Sequence, residues 1–284
     1  MTVLEAIQKS AEFLGKKGVE SPRLQVELLL AHLLKLPRMK LYLNFERVLT
    51  PAETDALREL VKRRGQREPL QHIVGSTSFC GHEIAVSRHA LVPRPETELL
   101  AEAGWDFLVT RHSSLVTALD FGTGTGCIAI ALAAKCPNAK ITATDISTEA
   151  LALAKENAVR NNVAERIEFP QGDGFAALSK GARFDLIISN PPYIPSAEIV
   201  TLQPEVRDFD PRAALNGGAD GLDFYRKLAA EAKPFLKPDG KIMLEFGDGQ
   251  AEAVKNIFEA QKWIVEAVKE DYSQRARILI AKPN

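Results

Sequence analysis

The stretch that most limits how this chain can fold runs from Ala118 to Cys127, Ala-Leu-Asp-Phe-Gly-Thr-Gly-Thr-Gly-Cys. An apolar run from Leu115 to Leu119 has the length and composition of a buried strand. It breaks at Gly122, Gly124 and Gly126, and apolar residues then resume at helical spacing through Ile128, Ile130, Leu132 and Ala133. Strand, glycine turn and helix N-terminus together make a pocket for a nucleotide-like ligand. The glycines let the backbone turn sharply and approach a ligand that a Cβ would hold off. The helix start directs backbone N–H groups toward it.

The loop alone leaves the ligand open. Read from Gly124 it is Gly-x-Gly-x-x-Ala, which fits a dinucleotide fingerprint. Read from Asp120 it is Asp-x-Gly-x-Gly-x-Gly, which resembles the glycine loop of class I methyltransferases that bind S-adenosylmethionine. In the second reading Gly122, Thr123, Gly124, Thr125 and Gly126 form the cofactor cradle.

Charge and cysteine content exclude several classes. A net charge of −1 argues against a protein that binds nucleic acid by broad phosphate neutralisation. The 3 cysteines, Cys80, Cys127 and Cys136, are widely spaced and form no Cys-x-x-Cys pair, so neither a disulfide framework nor a zinc site is indicated. Cys127 opens the glycine-loop helix, where a thiol is either activated or packs as a small hydrophobe. His32, His72, His82, His89 and His112 show no ligand spacing, and no metal is expected. With no signal-peptide pattern and no apolar run of spanning length, a cytoplasmic protein with no membrane association is expected.

Residues 1–72 read as a small helical bundle. Val3, Leu4, Ile7, Ala11 and Leu14 recur at helical spacing, and Ser21-Pro22 supplies an N-cap and a first-turn proline for a second helix. Thr50-Pro51-Ala52-Glu53 is a capping box. The cluster Lys62, Arg63, Arg64 and Arg67 is either a contact surface for RNA or an acidic partner, or a solvated helix end. From Ile73 to Val92 the pattern shortens to strand-like pieces around Gly81, a hairpin linking the bundle to the rest. Pro93-Arg94-Pro95-Glu96-Thr97-Glu98 then leads into a helix, in a place suited to a lid.

Beyond the glycine loop, strands and helices alternate, as in a parallel α/β sheet. A strand from Lys140 to Thr144 ends in Asp145, about 20 residues past the glycines, where a carboxylate accepts ribose hydroxyl protons. A strand from Ile167 to Phe169 precedes Asp173 and Gly174; Asp173 is either a turn former or the acceptor for an adenine amino group. Phe184 to Ser189 is a further buried strand, followed by Asn190-Pro191-Pro192-Tyr193. Leu222–Leu236 reads as helical, with Pro238-Asp239-Gly240 as a turn before a strand from Lys241 to Phe246. A helix from Ala251 to Gln261 and strands Trp263–Val268 and Arg277–Ala281 complete the chain.

Asn190-Pro191-Pro192-Tyr193 suits methylation of a planar, weakly nucleophilic nitrogen. The prolines hold the segment extended and leave carbonyls as its main backbone hydrogen-bonding groups. The Asn190 side-chain oxygen and the Pro191 carbonyl can each accept one N–H of an amide. Those bonds strengthen as the attacking nitrogen gains positive charge, which is selective stabilisation of the transition state. Tyr193 can pack over the planar group.

Across nearly its whole length the chain resembles the release factor glutamine methyltransferase family. The matching pieces are the helical N-terminal region, Glu68-Pro69 with Gly75 and Phe79, Pro93 to Glu98, and the loop Gly122–Gly126. Asp145, Asn190 to Tyr193 and Asn216-Gly217-Gly218-Ala219-Asp220-Gly221-Leu222 complete them. The resemblance implies an α/β fold of the class I S-adenosylmethionine-dependent methyltransferases: a Rossmann-like, seven-stranded mixed sheet whose last two strands form an antiparallel hairpin. It also implies three regions, a substrate-recognition bundle over 1–72, a β-hairpin linker over 73–93 and the methyltransferase domain over 94–284. The implied reaction carries methyl from S-adenosylmethionine to the side-chain amide nitrogen of the glutamine in the Gly-Gly-Gln motif of class I peptide chain release factors. The glycine loop, Asp145, Asp173, Gly174 and Asn190 would bind the cofactor, and Asn190, Pro191, Pro192 and Tyr193 would bind the glutamine and catalyse the transfer. A monomer with no stable nucleic-acid partner is expected.

Two departures stand out. Gly174 occupies the place where some members carry a tryptophan against the adenine, so Phe175 is a candidate replacement. Asp210-Pro211 stands where Glu-Pro is usual. The alternatives are glutamine methylation of a ribosomal protein, amino-group methylation of adenine or guanine in nucleic acid, a dehydrogenase, and a non-catalytic cofactor-binding scaffold. A dehydrogenase leaves Asn190 to Tyr193 without a purpose.

Overall fold

The structure is a computed structural model, and it describes residues 1–111 and 113–284. His112 lies outside the described residues. The chain divides into two units, one of Met1–Ser76 with Gln203–Phe209, the other of Thr77–Leu202 with Asp210–Asn284.

The first unit is built from α1 (Val3–Lys16), α2 (Pro22–Leu34), α3 (Arg38–Leu41), α4 (Pro51–Gly65) and α5 (Leu70–Val74). Val3, Ile7, Leu14, Val26, Leu29, Leu30 and Leu57 form its core, the inward stripe that the helical spacing predicts. The capping box at Thr50 is present: its hydroxyl accepts from the Glu53 N–H at 3.2 Å, and Glu53 accepts from the Thr50 N–H at 2.9 Å. Thr2 and Glu5 form a second box that the sequence reading did not single out. Ser21 is not a side-chain cap; its backbone is left-handed (φ 46°) and its side chain makes no capping bond.

The basic cluster is divided: Arg64 and Arg67 are consumed inside this unit, whereas Lys62 remains a solvated residue of the helix end and Arg63 stays partly exposed. Arg63 pairs with Glu68 at 2.6 Å. Arg64, 5% exposed, and Arg67 both pair with Glu205, at 2.7 and 2.6 Å. Residues 203–209, carried by α9 (Pro204–Arg207), were left with the methyltransferase region by the sequence pattern. Glu205 is the acid that satisfies the buried guanidinium of Arg64.

The second unit begins at Thr77, within the hairpin of β1 (Ser76–Phe79) and β2 (His82–Ala85), which is followed by α6 (Pro95–Val109). The sheet then alternates β3 (Val116–Phe121), α7 (Cys127–Lys135), β4 (Ala139–Thr144), α8 (Thr148–Arg160), β5 (Ile167–Glu168) and β6 (Phe184–Ser189). After α10 (Arg212–Leu215) and α11 (Asp223–Glu231) come β7 (Leu236–Glu245), α12 (Ala251–Ala260), β8 (Trp263–Glu270) and β9 (Ala276–Pro283). The seven strands of the main sheet lie in the order β5-β4-β3-β6-β7-β9-β8. Five pair in parallel from β5 to β7, and β9 runs antiparallel to both its neighbours. One face is packed around Ile130, Leu132, Leu186 and Ile188, the other around Leu119, Ile187, Leu244 and Phe258. The chain leaves β3 toward β4 on one side and returns to β6 on the other, so the carboxyl ends of β3 and β6 flank a switch point, where open α/β sheets place ligands.

Helix α5 runs on to Val74, into the stretch that the sequence pattern gives to the hairpin, and the boundary between α11 and β7 also differs. Helix α11 ends at Glu231, and Lys233–Phe235 tightens into a 3-10 turn, so Leu236 already belongs to β7. Pro238-Asp239-Gly240 therefore falls inside β7, as a bulge. Pairing runs from Phe184 with Leu236 to Leu186 with Lys241, two residues along β6 against five along β7.

Candidate active site

The carboxyl ends of β3, β4 and β6 open onto a cavity of about 350 Å³ lined by Gly122, Thr123, Gly124 and Thr125 from the loop and by Asp145, Asp173, Gly174, Asn190 and Pro192. That is within the ordinary range for a small-molecule site.

The glycine loop is held from beneath by Asp120. This wholly buried carboxylate accepts from the Thr123 hydroxyl at 2.6 Å and the Ala129 N–H at 3.1 Å, and its Oδ1 has no partner among the described residues. Burial pushes its pKa up to about 7. Gly122 and Gly124 have left-handed backbones (φ 73° and 56°), and a Cβ at Gly122 would meet nothing within 4 Å. Their conformation, not crowding by the protein, is what requires glycine. Gly126 stands apart from the cavity wall; a Cβ there would come within 3.0 Å of Ala154 on α8, so it serves helix packing.

Asp145 sits at the end of β4, where its Oδ2 accepts from the Gly124 N–H and its Oδ1 from the Ser147 N–H, each at 2.9 Å. It thus ties the loop to the next strand and keeps acceptor capacity at the cavity. Ile146 beside it is exposed and lines the same wall. Asp173 also lines the cavity, but its carboxylate pairs with Lys227 at 2.6 Å. Phe175 does not line the wall; it stacks on Phe235 with centroids 4.7 Å apart. The ring beside Gly174 belongs to Phe121. A Cβ on Gly174 would fall 2.4 Å from two of its ring carbons, so the phenyl group occupies the space a side chain at 174 would need. This pairing of residues 121 and 174 was not visible in the sequence.

The opposite wall is built around Asn190, whose Nδ2 donates to the Thr97 hydroxyl at 3.0 Å. Thr97, in the first turn of α6, is 3% exposed. Both side chains lie near enough to the carboxyl of Glu245, 3% exposed at the end of β7, to favour its charged form, but burial outweighs them and raises its pKa to about 7. Sequence reading missed Thr97 and Glu245 as site residues. The available signal was an acid closing an otherwise apolar parallel strand at its carboxyl end.

Pro191 and Tyr193 lie off the cavity wall. Tyr193 packs against the apolar cluster of Phe246 and Tyr225, and burial pushes its phenol up to about 12, so it stays protonated. The segment is braced by the Asn216–Leu222 loop. The Ile194 N–H donates to Leu215 and the Gly217 N–H to Ile194, each at 2.9 Å. A Cβ at Gly221 would fall 2.3 Å from the Tyr193 carbonyl, so only glycine allows this approach. Gln250 Nε2 donates to that same carbonyl at 2.9 Å.

Further ties join the remaining segments. Arg94, on the cavity wall, pairs at 2.6 Å with Asp210, whose pKa burial raises. Asn157, wholly buried, bonds both backbone groups of Ala85 and donates to the Thr125 carbonyl, joining hairpin, α8 and glycine loop. Cys127 is buried and pushed up to about 12, which fits a packing thiol. Among the described residues no helix is long and apolar enough to cross a membrane.

Comparison with known proteins decides among the readings this geometry allows. The PrmC N-terminal domain model matches residues 5–75, and the methyltransferase small domain model matches residues 101–203. The release factor glutamine methyltransferase of Geobacter sulfurreducens is 45% identical over 90% of this chain and 88% of its own length. The enzyme of the same name from Chlorobaculum tepidum is 41% identical over 97% of this chain and 95% of its own. The chain belongs to the release factor glutamine methyltransferase family. It is an enzyme, a methyltransferase, and the α/β fold agrees. A methyltransferase of Pyrococcus furiosus, 26% identical, superposes over 71% of this chain and 88% of its own with a TM-score of 0.51. Membership in the family sets aside the dehydrogenase and the non-catalytic scaffold.

Proposed function

We propose that this protein uses S-adenosylmethionine to methylate the side-chain amide nitrogen of the glutamine in the Gly-Gly-Gln motif of class I peptide chain release factors. The observation that carries the reading is Asn190 at the wall of a glycine-loop cavity, its Nδ2 engaged by Thr97 and its Oδ1 thereby left as an acceptor. The residues present fit the cofactor. Two left-handed glycines leave room for close backbone approach, Asp145 offers carboxylate oxygens to a ribose, and the wall beside Gly174 is apolar. When bound, S-adenosylmethionine supplies an activated methyl group. Gly122, Thr123, Gly124, Thr125, Asp145, Asp173, Gly174 and Asn190 are the residues we assign to holding it, with Gly126 packing the helix behind the loop.

The chain's own contribution to the chemistry is orientation and electrostatics. Asn190 Oδ1 accepts one amide N–H and is fixed by Thr97 before reaction, so its stabilisation of developing positive charge costs no reorganisation; the Pro191 carbonyl, whose residue lies behind the cavity wall, is assigned the second N–H. Pro192, on the cavity wall, confines the planar group. Because Tyr193 sits off the cavity wall, its part is to hold the backbone of the tetrapeptide, through the carbonyl that Gln250 engages. The helical unit over 1–72 is assigned to recognition of the release factor, and the protein is read as cytoplasmic and monomeric.

The test is peptide mass spectrometry of a purified release factor after incubation with this protein and S-adenosylmethionine. The expected result is one added methyl on the Gly-Gly-Gln glutamine. An unmodified glutamine, with methyl found instead on a ribosomal protein or RNA, would overturn the reading.

A further inference from the structure

The amide of Asn190 is two-sided, and its usefulness as an acceptor depends on which side faces the cavity. Three strand and helix ends set this. Ser189 pairs with Leu244 across β6 and β7, so Asn190 and Glu245 follow at adjacent carboxyl ends, and the first turn of α6 places Thr97 beside both. Asn190 Nδ2 donates to Thr97 Oγ1 at 3.0 Å, and the Thr97 hydroxyl and the Asn190 amide both lie near the Glu245 carboxyl and favour its charged form. Glu245 Oε2 has no partner among the described residues. An ionised carboxylate only accepts, so it obliges Thr97 to donate toward Glu245 and to accept from Asn190. That polarity points Nδ2 inward and leaves Oδ1 for the cavity.

We propose that Glu245 is a positioning residue: its carboxylate, acting through Thr97, fixes the amide of Asn190 with Oδ1 toward the substrate. The proposal rests on the reading of Asn190 as the acceptor for a substrate amide. A neutral Glu245 can donate to Thr97 instead, which removes the bias and lets the amide turn over. Burial raises the Glu245 pKa to about 7, so the bias is present above neutral pH and is lost as pH falls through that value. The charged and titratable groups facing it are Glu96 on α6, which raises its pKa, and Arg277 on β9, which lowers it. The phenols of Tyr193 and Tyr225 also feel its charge, and the Tyr225 hydroxyl donates to the Glu245 backbone carbonyl at 2.9 Å.

The experiment has two readouts on the full chain. The first needs neither cofactor nor substrate: the side-chain amide resonance of Asn190, identified by its loss in Asn190→Ser, is followed by NMR from about pH 5.5 to 8.5, around the Glu245 transition. It should shift through a transition in the native protein and stay flat in Glu245→Gln. The second is single-turnover methylation of a release factor, alongside calorimetric binding of S-adenosylhomocysteine. Glu245→Gln should slow methylation about tenfold or more and abolish the acid limb of the pH profile, with binding changed less than about twofold. Thr97→Val should do the same and Thr97→Ser should restore the rate, which separates positioning from a folding defect. A flat Asn190 resonance in the native protein, or one that titrates identically in Glu245→Gln, would overturn the proposal. If the resonance titrates as expected but the native protein methylates no release factor, the positioning stands and the functional reading of Asn190 fails.

Discussion

The two walls of the cavity are made in different ways. The glycine-loop wall is nearly self-contained: Thr123 and Ala129 both donate to Asp120 within one strand–turn–helix, and Asp145 from the next strand closes it. The Asn190 wall has almost no local support. Thr97 orients its amide, Glu245 lies behind both, the Asn216–Leu222 loop braces its backbone, and Gln250 holds the Tyr193 carbonyl. One wall is written within a few turns of chain. The other is assembled from residues that meet only after the sheet has formed. The difference matches the tasks assigned to them. A cofactor needs backbone N–H groups and one acid, which a loop can carry. A reacting amide needs an acceptor held in a single orientation, which takes a supporting shell.

The pair Phe121 and Gly174 is where the glycine-loop wall departs from self-sufficiency, and it offers the larger test of the comparison. Gly174→Ala places a Cβ against the Phe121 ring on a left-handed backbone (φ 60°). Overpacking and the backbone conformation together should lower stability by about 2–4 kcal/mol, read by denaturant unfolding. Phe121→Leu made in the same protein should recover the overpacking share and leave about 1 kcal/mol. Additive effects of the two substitutions would show that residue 121 does not set what residue 174 can be.

The smaller test concerns Asp120. Burial raises its pKa from 3.8 to about 7, so the folded protein binds this proton more tightly than the unfolded chain. The stability linked to it is greatest below the unfolded value, declines as pH rises between the two values, and is gone above about 7. Asp120→Asn keeps an acceptor for Thr123 and Ala129 and removes the charge. Its unfolding free energy should therefore gain about 1–3 kcal/mol on the native protein between pH 5 and pH 8. Parallel pH curves for the two proteins would contradict the assignment.

How much of this could be read from the chain follows the same division. The loop, Asp145 and the individual strands rest on local patterns of apolar runs, glycines and turn residues, while the seven-stranded mixed sheet and its closing hairpin rest on the family resemblance; the structure has both. Leu236 was assigned to a helix because Phe235 and Leu236 continue an apolar period, whereas pairing with Phe184 draws Leu236 into β7. Phe175 is the ring that the sequence offers near Gly174 because it is next in the chain; the fold turns it away onto Phe235 and brings Phe121 there instead. Arg64 looked like part of an exposed basic patch because its partner, Glu205, is 141 residues away. Thr97 and Glu245 went unnoticed for the same reason, although an acid inside Ile-Met-Leu-Glu-Phe was itself a sign of a buried polar contact.

The most direct measurement takes Asn190→Ala and reads S-adenosylhomocysteine affinity by calorimetry and single-turnover methylation of a release factor in the same preparation. If the glycine-loop wall holds the cofactor and the Asn190 wall performs the transfer, affinity should fall by no more than about threefold while the rate falls by about a hundredfold or more. A rate that survives the substitution, or an affinity that falls in step with it, would contradict that division of labour.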